Sequence, residues 1–599
     1  MGPHVRAAAR VLPDGPRRAS RAGLRVALSA RAAAAAAARV GAPVLLAAGA
    51  AGLKLAIAAR VPGPWLFSES TLVARQATAL ARQGLDALAG PAREYTILYP
   101  LLLAPAFALA DRADAHAAAL ALNALVSSSA LVPIHAIARR VLPAGTAAAV
   151  ALLVVVLPTA FVHALALSAE NLFFPLFWWG TWLLLRFAER DRMRDAVAAG
   201  LVLGLLPAVR LPGFAVLAAA ALLAGGMAVF HRVAVRSALA CVAALVAPQV
   251  LWILIRVAFA SPDRGLFGFG PGVGEALVGG LARVREAGGR RLAAYFIGET
   301  TYFLVGAYVA WVLFSLYLVS QYRTWRSRSV EGFLLLWTFA CAACLAVVTV
   351  TLLFPIAGSL TDPELAARPI YGRFIETLFP GFFVLGTRGM LDFAWKERAP
   401  RAPRREVLLL LALVVFSAVS VYPLTGYGVA SALRPYAWSR LGSPAALVAG
   451  AGGLVALGAA LAAVAARMRA APTRGRLLAA GIGAALALQA VAFAVTVGGA
   501  VAGARARDAH LFRGARLLSE RISPSATVVW DRALGFGTQW FGYRFWVDGA
   551  WDARPGERLL DRQPEVVITR RSLPLPLLAE EANGVRVYFE NGLEQRGRP

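Results

Sequence analysis

Long apolar runs broken by short arginine-rich segments dominate the chain from about residue 42 to residue 501. The first covers about Ala42–Arg60. Others follow at about Ala115–Ala138, Thr146–His163, Asn171–Phe187, Ala196–Val209, Pro212–Phe230 and Ala238–Phe259. The last six lie at about Tyr295–Ser320, Gly332–Pro355, Tyr371–Leu391, Val407–Tyr422, Pro444–Ala466 and Leu477–Val501. A helix needs roughly 20 apolar residues to cross a bilayer, so the pattern predicts an all-α polytopic membrane protein with about thirteen transmembrane helices. The run "ILYPLLLAPAFALA" (Ile97–Ala110) is short for a span and contains Pro100 and Pro105. It is expected to lie at the interface as a juxtamembrane helix. Beyond residue 503 the pattern changes to turn residues, charges and three β-rich runs, "ATVVW" (Ala526–Trp530), "EVVIT" (Glu565–Thr569) and "VRVYF" (Val585–Phe589). These predict a small C-terminal α/β domain.

The formal net charge is +28. In a soluble protein that would suggest nucleic acid, but here the arginines cluster between apolar runs, so no nucleic-acid partner is expected and topology explains them. Placing the basic clusters inside puts Arg139-Arg140, Arg190, Arg192, Arg194, His231, Arg232 and Arg236 in the cytoplasm together with the N-terminus. The segment Arg283–Arg291 departs from the rule, which long loops obey weakly. The expected division is a cytoplasmic Arg/Ala-rich tail over 1–40 and a transmembrane domain over 41–503. The first external loop, 62–114, holds juxtamembrane helices, and an extracytoplasmic α/β domain fills 504–599. Mean hydropathy of +0.64 and 59% hydrophobic residues place the protein in the cell membrane as a multi-pass chain. Arg17-Arg18 is not followed by a compact apolar stretch and cleavage site, so no signal peptide is expected. The three cysteines, Cys241, Cys341 and Cys344, lie in apolar runs, and the Cys341–Cys344 spacing reads as packing rather than redox or metal chemistry. The C-terminal piece carries no P-loop, and Gly535-Phe536-Gly537 lacks the third glycine of a dinucleotide fingerprint.

This topology gathers Glu69, Glu170, Asn171, Arg210, Asp362, Glu364, Arg373 and Glu376 at the outer face. Ionisable residues at span ends are functional candidates when they face a cavity. An arginine fork binds phosphate oxygens, and a carboxylate beside an apolar wall can take a proton from a hydroxyl. The combination suggests a lipid-phosphate donor. Plainer readings stand beside these. Glu69 also fits a first-turn helix acid with Ser68 as cap, Glu170 a cap of the span it begins, Arg210 a snorkelling residue and Arg373 a headgroup anchor. His163 reads as a span-end residue, and Asp111 and Asp114 as solvated acids.

Six stretches stand out along the chain: "WLFSESTLVARQATALARQG", "YTILYPLLLAPAFAL", "ALNALVSSSALVPIHAIARRVLP", "LALSAENLFFPLFWWGTWLLLRF", "GLLPAVRLPGFAVL" and "YGRFIETLFPGFFVLG". They resemble the GT-C superfamily of polyprenyl-phosphate-dependent glycosyltransferases, in the branch of family-39-type and ArnT-like bacterial membrane enzymes. Their order covers most of 42–398. The resemblance implies an inverting transfer of a sugar from a polyprenyl-phosphate donor to a glycan, lipid or protein acceptor at the outer face. It implies Glu69 as the catalytic base that deprotonates the acceptor hydroxyl. It places Arg210 and Arg373 on the lipid phosphate, and Glu170, Asn171 and Tyr99 as further substrate-binding positions. No cofactor is implied, because the lipid-phosphate sugar is itself the activated donor. Ser68 stands where the family commonly has a first acid, so no metal bridging two acids is expected. Two other functions fit parts of the pattern. A flippase or transporter of lipid-linked sugars predicts internal repeats and mid-span charges. A non-catalytic assembly protein predicts that Glu69 is replaceable.

Overall fold

A segment that is apolar on every side has no face for water, so it folds as a helix surrounded by protein or lipid. The structure, a computed structural model, describes residues 41–61, 68–89, 96–108, 112–155, 163–259, 330–348, 376–395, 512–519, 526–535, 538–547, 549–561 and 564–589, with isolated positions between them. Helix α1 (Gly41–Ala58) is the first expected span. The first loop then holds α2 (Ser68–Gln83), a 3-10 turn (Gly84–Ala89) and α3 (Leu98–Phe107). At 10 residues α3 is far too short to cross a bilayer, in keeping with a juxtamembrane element. Helices α4 (Arg112–Ser128) and α5 (Leu131–Val141) run on as one apolar stretch of 30 residues, and α6 (Ala144–Val155) follows. Then come α7 (Glu170–Arg190), α8 (Met193–Gly204), α9 (Leu206–Val209), α10 (Gly213–Val229) and α11 (Val235–Phe259). Helices α12 (Val330–Val348) and α13 (Phe379–Trp395) complete the described membrane part.

Among the described residues, α1, α4–α5, α11 and α12 are long and apolar enough to span a membrane. The runs expected at Tyr295–Ser320, Val407–Tyr422, Pro444–Ala466 and Leu477–Val501 lie outside the described residues, apart from isolated positions, as does the tail over 1–40. The expected run Ala115–Ala138 is divided between α4 and α5 at Ser129-Ala130, and a second expected run is broken as well. Ala196–Val209 is two helices rather than one, because Pro207 removes a backbone donor and its ring opposes continuation of α8.

The basic clusters share one end of the bundle. Arg140 at the end of α5 pairs with Glu189 of α7 at 3.0 Å, and Arg186 of α7 pairs with Asp195 of α8 at 2.9 Å. Asp191, in the left-handed conformation after α7, accepts from the backbone N–H of Ala234 before α11. Glu170 and Arg210 therefore lie at the opposite end of their helices. The arginine alternation read from the sequence agrees with this arrangement.

Helices α8 and α11 approach closely through small residues. A Cβ added at Gly200 would collide with the Cys241 carbonyl and stand 2.6 Å from Ala244 Cβ. At Gly204 the same Cβ would be 2.7 Å from the Leu245 carbonyl oxygen, and Gln249 donates to the Gly204 carbonyl. Small residues spaced four apart allow such contact where lipid offers no hydrophobic drive for association. Gly200→Val is expected to lower stability by about 1–3 kcal/mol through overpacking. Thermal unfolding of the detergent-solubilised protein checks this, and an unchanged midpoint would show that the helices separate without cost.

The C-terminal part forms a five-stranded mixed sheet in the order β2-β1-β3-β5-β4, built from β1 (Thr527–Asp531), β2 (Ala550–Arg554), β3 (Val566–Thr569), β4 (Leu577–Glu580) and β5 (Arg586–Phe589). Strands β2, β1 and β3 are parallel, whereas β3, β5 and β4 are antiparallel. Side chains alternate across a strand. Val528, Trp530, Val566 and Ile568 pack with the helices α14 (Arg513–Ser519) and α15 (Thr538–Trp546), while Val529 and Val567 pack with Leu559 and Tyr588 on the other face. Glu581 joins the two helices to the β4–β5 turn. Its Oε1 accepts from the Tyr543 hydroxyl and from the Gly514 N–H, each at 2.7 Å. Burial first, and the carboxylate second, pushes the Tyr543 hydroxyl well above its ordinary range, so it remains a donor.

This domain touches the first loop. Helix α15 packs against α2, and Phe545 meets the His116 ring of α4 edge-on at 5.6 Å.

Candidate active site

The connector 163–169 leads into α7, and its carbonyl groups are collected by side chains from several helices. Asn171 Nδ2 donates to the carbonyls of His163, Ala166 and Ser168 at 2.7–3.1 Å. Asn123 of α4 donates to the Ala166 carbonyl at 3.0 Å and accepts from the Tyr99 hydroxyl of α3 at 2.9 Å. Buried backbone carbonyls need such partners where no helix supplies them. Asn171 and Tyr99 thus hold the connector in shape. The first loop is pinned to the same place. Ser70, in the first turn of α2, donates to the Leu167 carbonyl at 3.2 Å, and Thr96, just before α3, donates to the Val209 carbonyl next to Arg210.

Four ionisable side chains converge beside this connector. Glu170, 8% exposed, begins α7 and pairs with Arg210, 5% exposed. It also accepts from the Ser168 hydroxyl. His163 Nδ1 lies 3.2 Å from Ser168 Oγ and 3.9 Å from Glu170 Oε2, while its Nε2 lies 3.5 Å from Glu376 Oε2. Glu376 starts the 3-10 turn before α13, and this turn is tied to α7 by Trp178 Nε1, which donates to the Thr377 carbonyl at 3.1 Å. Arg210 is held in extended backbone between α9 and α10. The chain turns there so tightly that a Cβ on Gly213 would strike Leu206 and Pro207, so only glycine permits the turn.

His163, Glu170, Asn171, Glu376 and Thr377 line one cavity with Lys54 of α1 and with Ser127 and Ser128 of α4. Its remaining wall is apolar, formed by Ala50, Leu131, Val154, Leu157 and Phe174. An apolar cavity with a few convergent polar groups is the usual form of a ligand site. Among the described residues, no group of three or more His, Cys, Asp or Glu side chains is arranged to hold a metal ion.

Of the residues singled out in the sequence, the structure brings Tyr99, Glu170, Asn171, Arg210 and Glu376 together. Glu69 is the second residue of α2, next to the Ser70 that contacts the connector; its side chain lies outside the described residues. Arg373, Asp362, Glu364 and Asp111 also lie outside them. Asp114 is exposed in the first turn of α4, as a solvated acid should be. Arg210 does not snorkel to the surface, since its partner Glu170 is buried with it. His163 is more than a span-end residue, because its ring stands between the Glu170 and Glu376 carboxylates. Lys54 was not foreseen. Its signal was present, as a single charge in the run "GLKLAIAA".

The whole-chain architecture has a solved counterpart. A crystal structure of ArnT from Cupriavidus metallidurans bound to undecaprenyl phosphate superposes with a TM-score of 0.55, covering 91% of this chain and 97% of that one at 13% identity. The fold is that of ArnT. The apo state of the same ArnT matches with a TM-score of 0.50 over 93% of this chain and 99% of that one, at 14% identity. No family model matches the sequence, and no curated protein matches it significantly. The resemblance to ArnT-like membrane proteins carried by the sequence motifs therefore holds at the level of the fold, and the apolar helices fit a membrane location.

Proposed function

We propose that the protein is an inverting glycosyltransferase that moves a sugar from a polyprenyl-phosphate donor to a glycan, lipid or protein acceptor at the outer face of the cytoplasmic membrane. The observation that carries this reading is the buried polar cluster in a membrane fold. Glu170, Arg210, His163 and Glu376 converge beside the point where α2 and the first loop are anchored. In the same fold, ArnT was crystallised with undecaprenyl phosphate. In this mechanism Glu69 takes the proton of the acceptor hydroxyl, whose oxygen attacks the anomeric carbon; polyprenyl phosphate leaves and the configuration inverts. A guanidinium has five donors, so Arg210 can hold Glu170 and still offer N–H groups to the phosphate together with Arg373. Asn171 and Tyr99 position the connector, and Glu170 orients Arg210. The C-terminal domain, docked against α2, faces the acceptor side and contributes to its binding.

The test uses membranes from cells making the protein and a panel of labelled polyprenyl-phosphate sugars. Loss of label from one donor lipid, with an inverted linkage in the product, is the expected result. A sugar that stays on its lipid and only becomes accessible from the opposite leaflet would instead identify a flippase, and the transfer reading would be wrong.

A further inference from the structure

Only two lysines occur in the chain, at positions 54 and 396, against the arginines that fill every basic cluster. Lys396 belongs to the Arg-rich stretch 396–405, whereas Lys54 lies inside the apolar helix α1, four residues before its end at Ala58. Lys54 is 5% exposed. Its ammonium donates to Ser127 Oγ at 2.7 Å and stands 5.7 Å from the centre of the Phe161 ring. Among the described residues it forms no ion pair. The two acids that share its cavity are engaged elsewhere, Glu170 by Arg210 and Ser168, and Glu376 beside His163. An ammonium has three donors, and one is used. A buried cation without a counter-charge is costly at membrane depth and marks a functional site. The cavity therefore favours an anion.

Lipid is the fitting source of that anion. Leu45 and Leu53 of α1 are exposed apolar side chains, so acyl chains run along the helix that carries Lys54. A compact point charge suits a phosphate that must be met in a narrow site without a planar fork.

We propose that Lys54, oriented by Ser127, binds the phosphate of a polyprenyl phosphate lodged in this cavity. The assignment rests on the donor class proposed above. It makes Lys54 a substrate-binding residue supplied by the first helix.

The full-length protein in phosphatidylcholine nanodiscs is titrated with undecaprenyl phosphate, undecaprenol and phosphatidylglycerol, and bound lipid is read by native mass spectrometry. Wild type, Lys54→Met and Lys54→Gln are compared on their monodisperse fractions. Replacing a buried charge with a neutral chain of similar length need not harm folding, and the glutamine variant keeps a donor for Ser127. Wild type is expected to prefer undecaprenyl phosphate over undecaprenol by roughly tenfold or more, and either variant to narrow that preference about threefold or more, the remainder being held by Arg210 and Arg373. If wild type prefers the phosphate and both variants do so equally, the Lys54 assignment fails while the donor class survives. If wild type shows no preference, the donor class itself fails. Lys54-dependent binding of phosphatidylglycerol at equal strength, or displacement of undecaprenyl phosphate by an equal concentration of inorganic phosphate, would overturn the polyprenyl source.

Discussion

Glu69→Gln is expected to lower donor consumption by about 10²–10⁴-fold, the usual contribution of a positioned general base. Glutamine keeps the size of the side chain and removes its ability to accept a proton. The backbone of α2 should not change, because its anchor is the neighbouring Ser70, whose hydroxyl reaches the Leu167 carbonyl. Binding of the donor lipid should therefore persist while turnover falls. The measurement pairs release of label from a polyprenyl-phosphate sugar with a binding titration on the same preparation. Equal turnover by both proteins would reduce Glu69 to a first-turn helix acid and remove the proposed base. Loss of binding together with turnover would point to a structural role.

Arg210→Met is expected to cost about 3–5 kcal/mol, because it leaves a buried carboxylate without its counter-charge. Glu170 and Arg210 are both almost fully buried, and the pair joins the start of α7 to the turn between α9 and α10. The double variant Glu170→Gln/Arg210→Met should recover much of the loss, since replacing both charges removes the uncompensated ion rather than the packing. Thermal unfolding of the purified proteins in one detergent gives both numbers. A single variant as stable as wild type would mean that Glu170 finds water or another partner. The proposed division of labour, with Glu170 orienting a phosphate-binding Arg210, would then lose its basis.

The local pattern of the chain settled a great deal. Apolar runs fixed where α1, α4–α5, α7, α10, α11 and α12 would form, because a helix without a polar face has no alternative to burial or lipid. The short, Pro-containing α3 could be set apart from the spans by length alone. In the C-terminal domain the three expected strands match β1, β3 and β5 to within a residue at either end. These are the inner strands, buried on both faces and so written as continuous apolar runs.

Strands β2 and β4 were not legible. Both lie at sheet edges with partly exposed residues, and their extended form depends on neighbours distant in sequence. The site divides in the same way. Charge at a span end could be read for Glu170, Arg210 and Glu376, since ionisable residues stand out against apolar flanks. That His163 stands between Glu170 and Glu376, and that Lys54 shares a cavity with both, was decided only by the packing of α1, α4, α7 and the turn before α13. Periodicity is a property of a few neighbouring residues, so the sequence alone determined the apolar helices and the inner strands. Which polar groups meet depends on how those segments rotate and dock, and that is fixed by contacts between residues far apart in sequence, such as Trp178 with Thr377, 199 positions on.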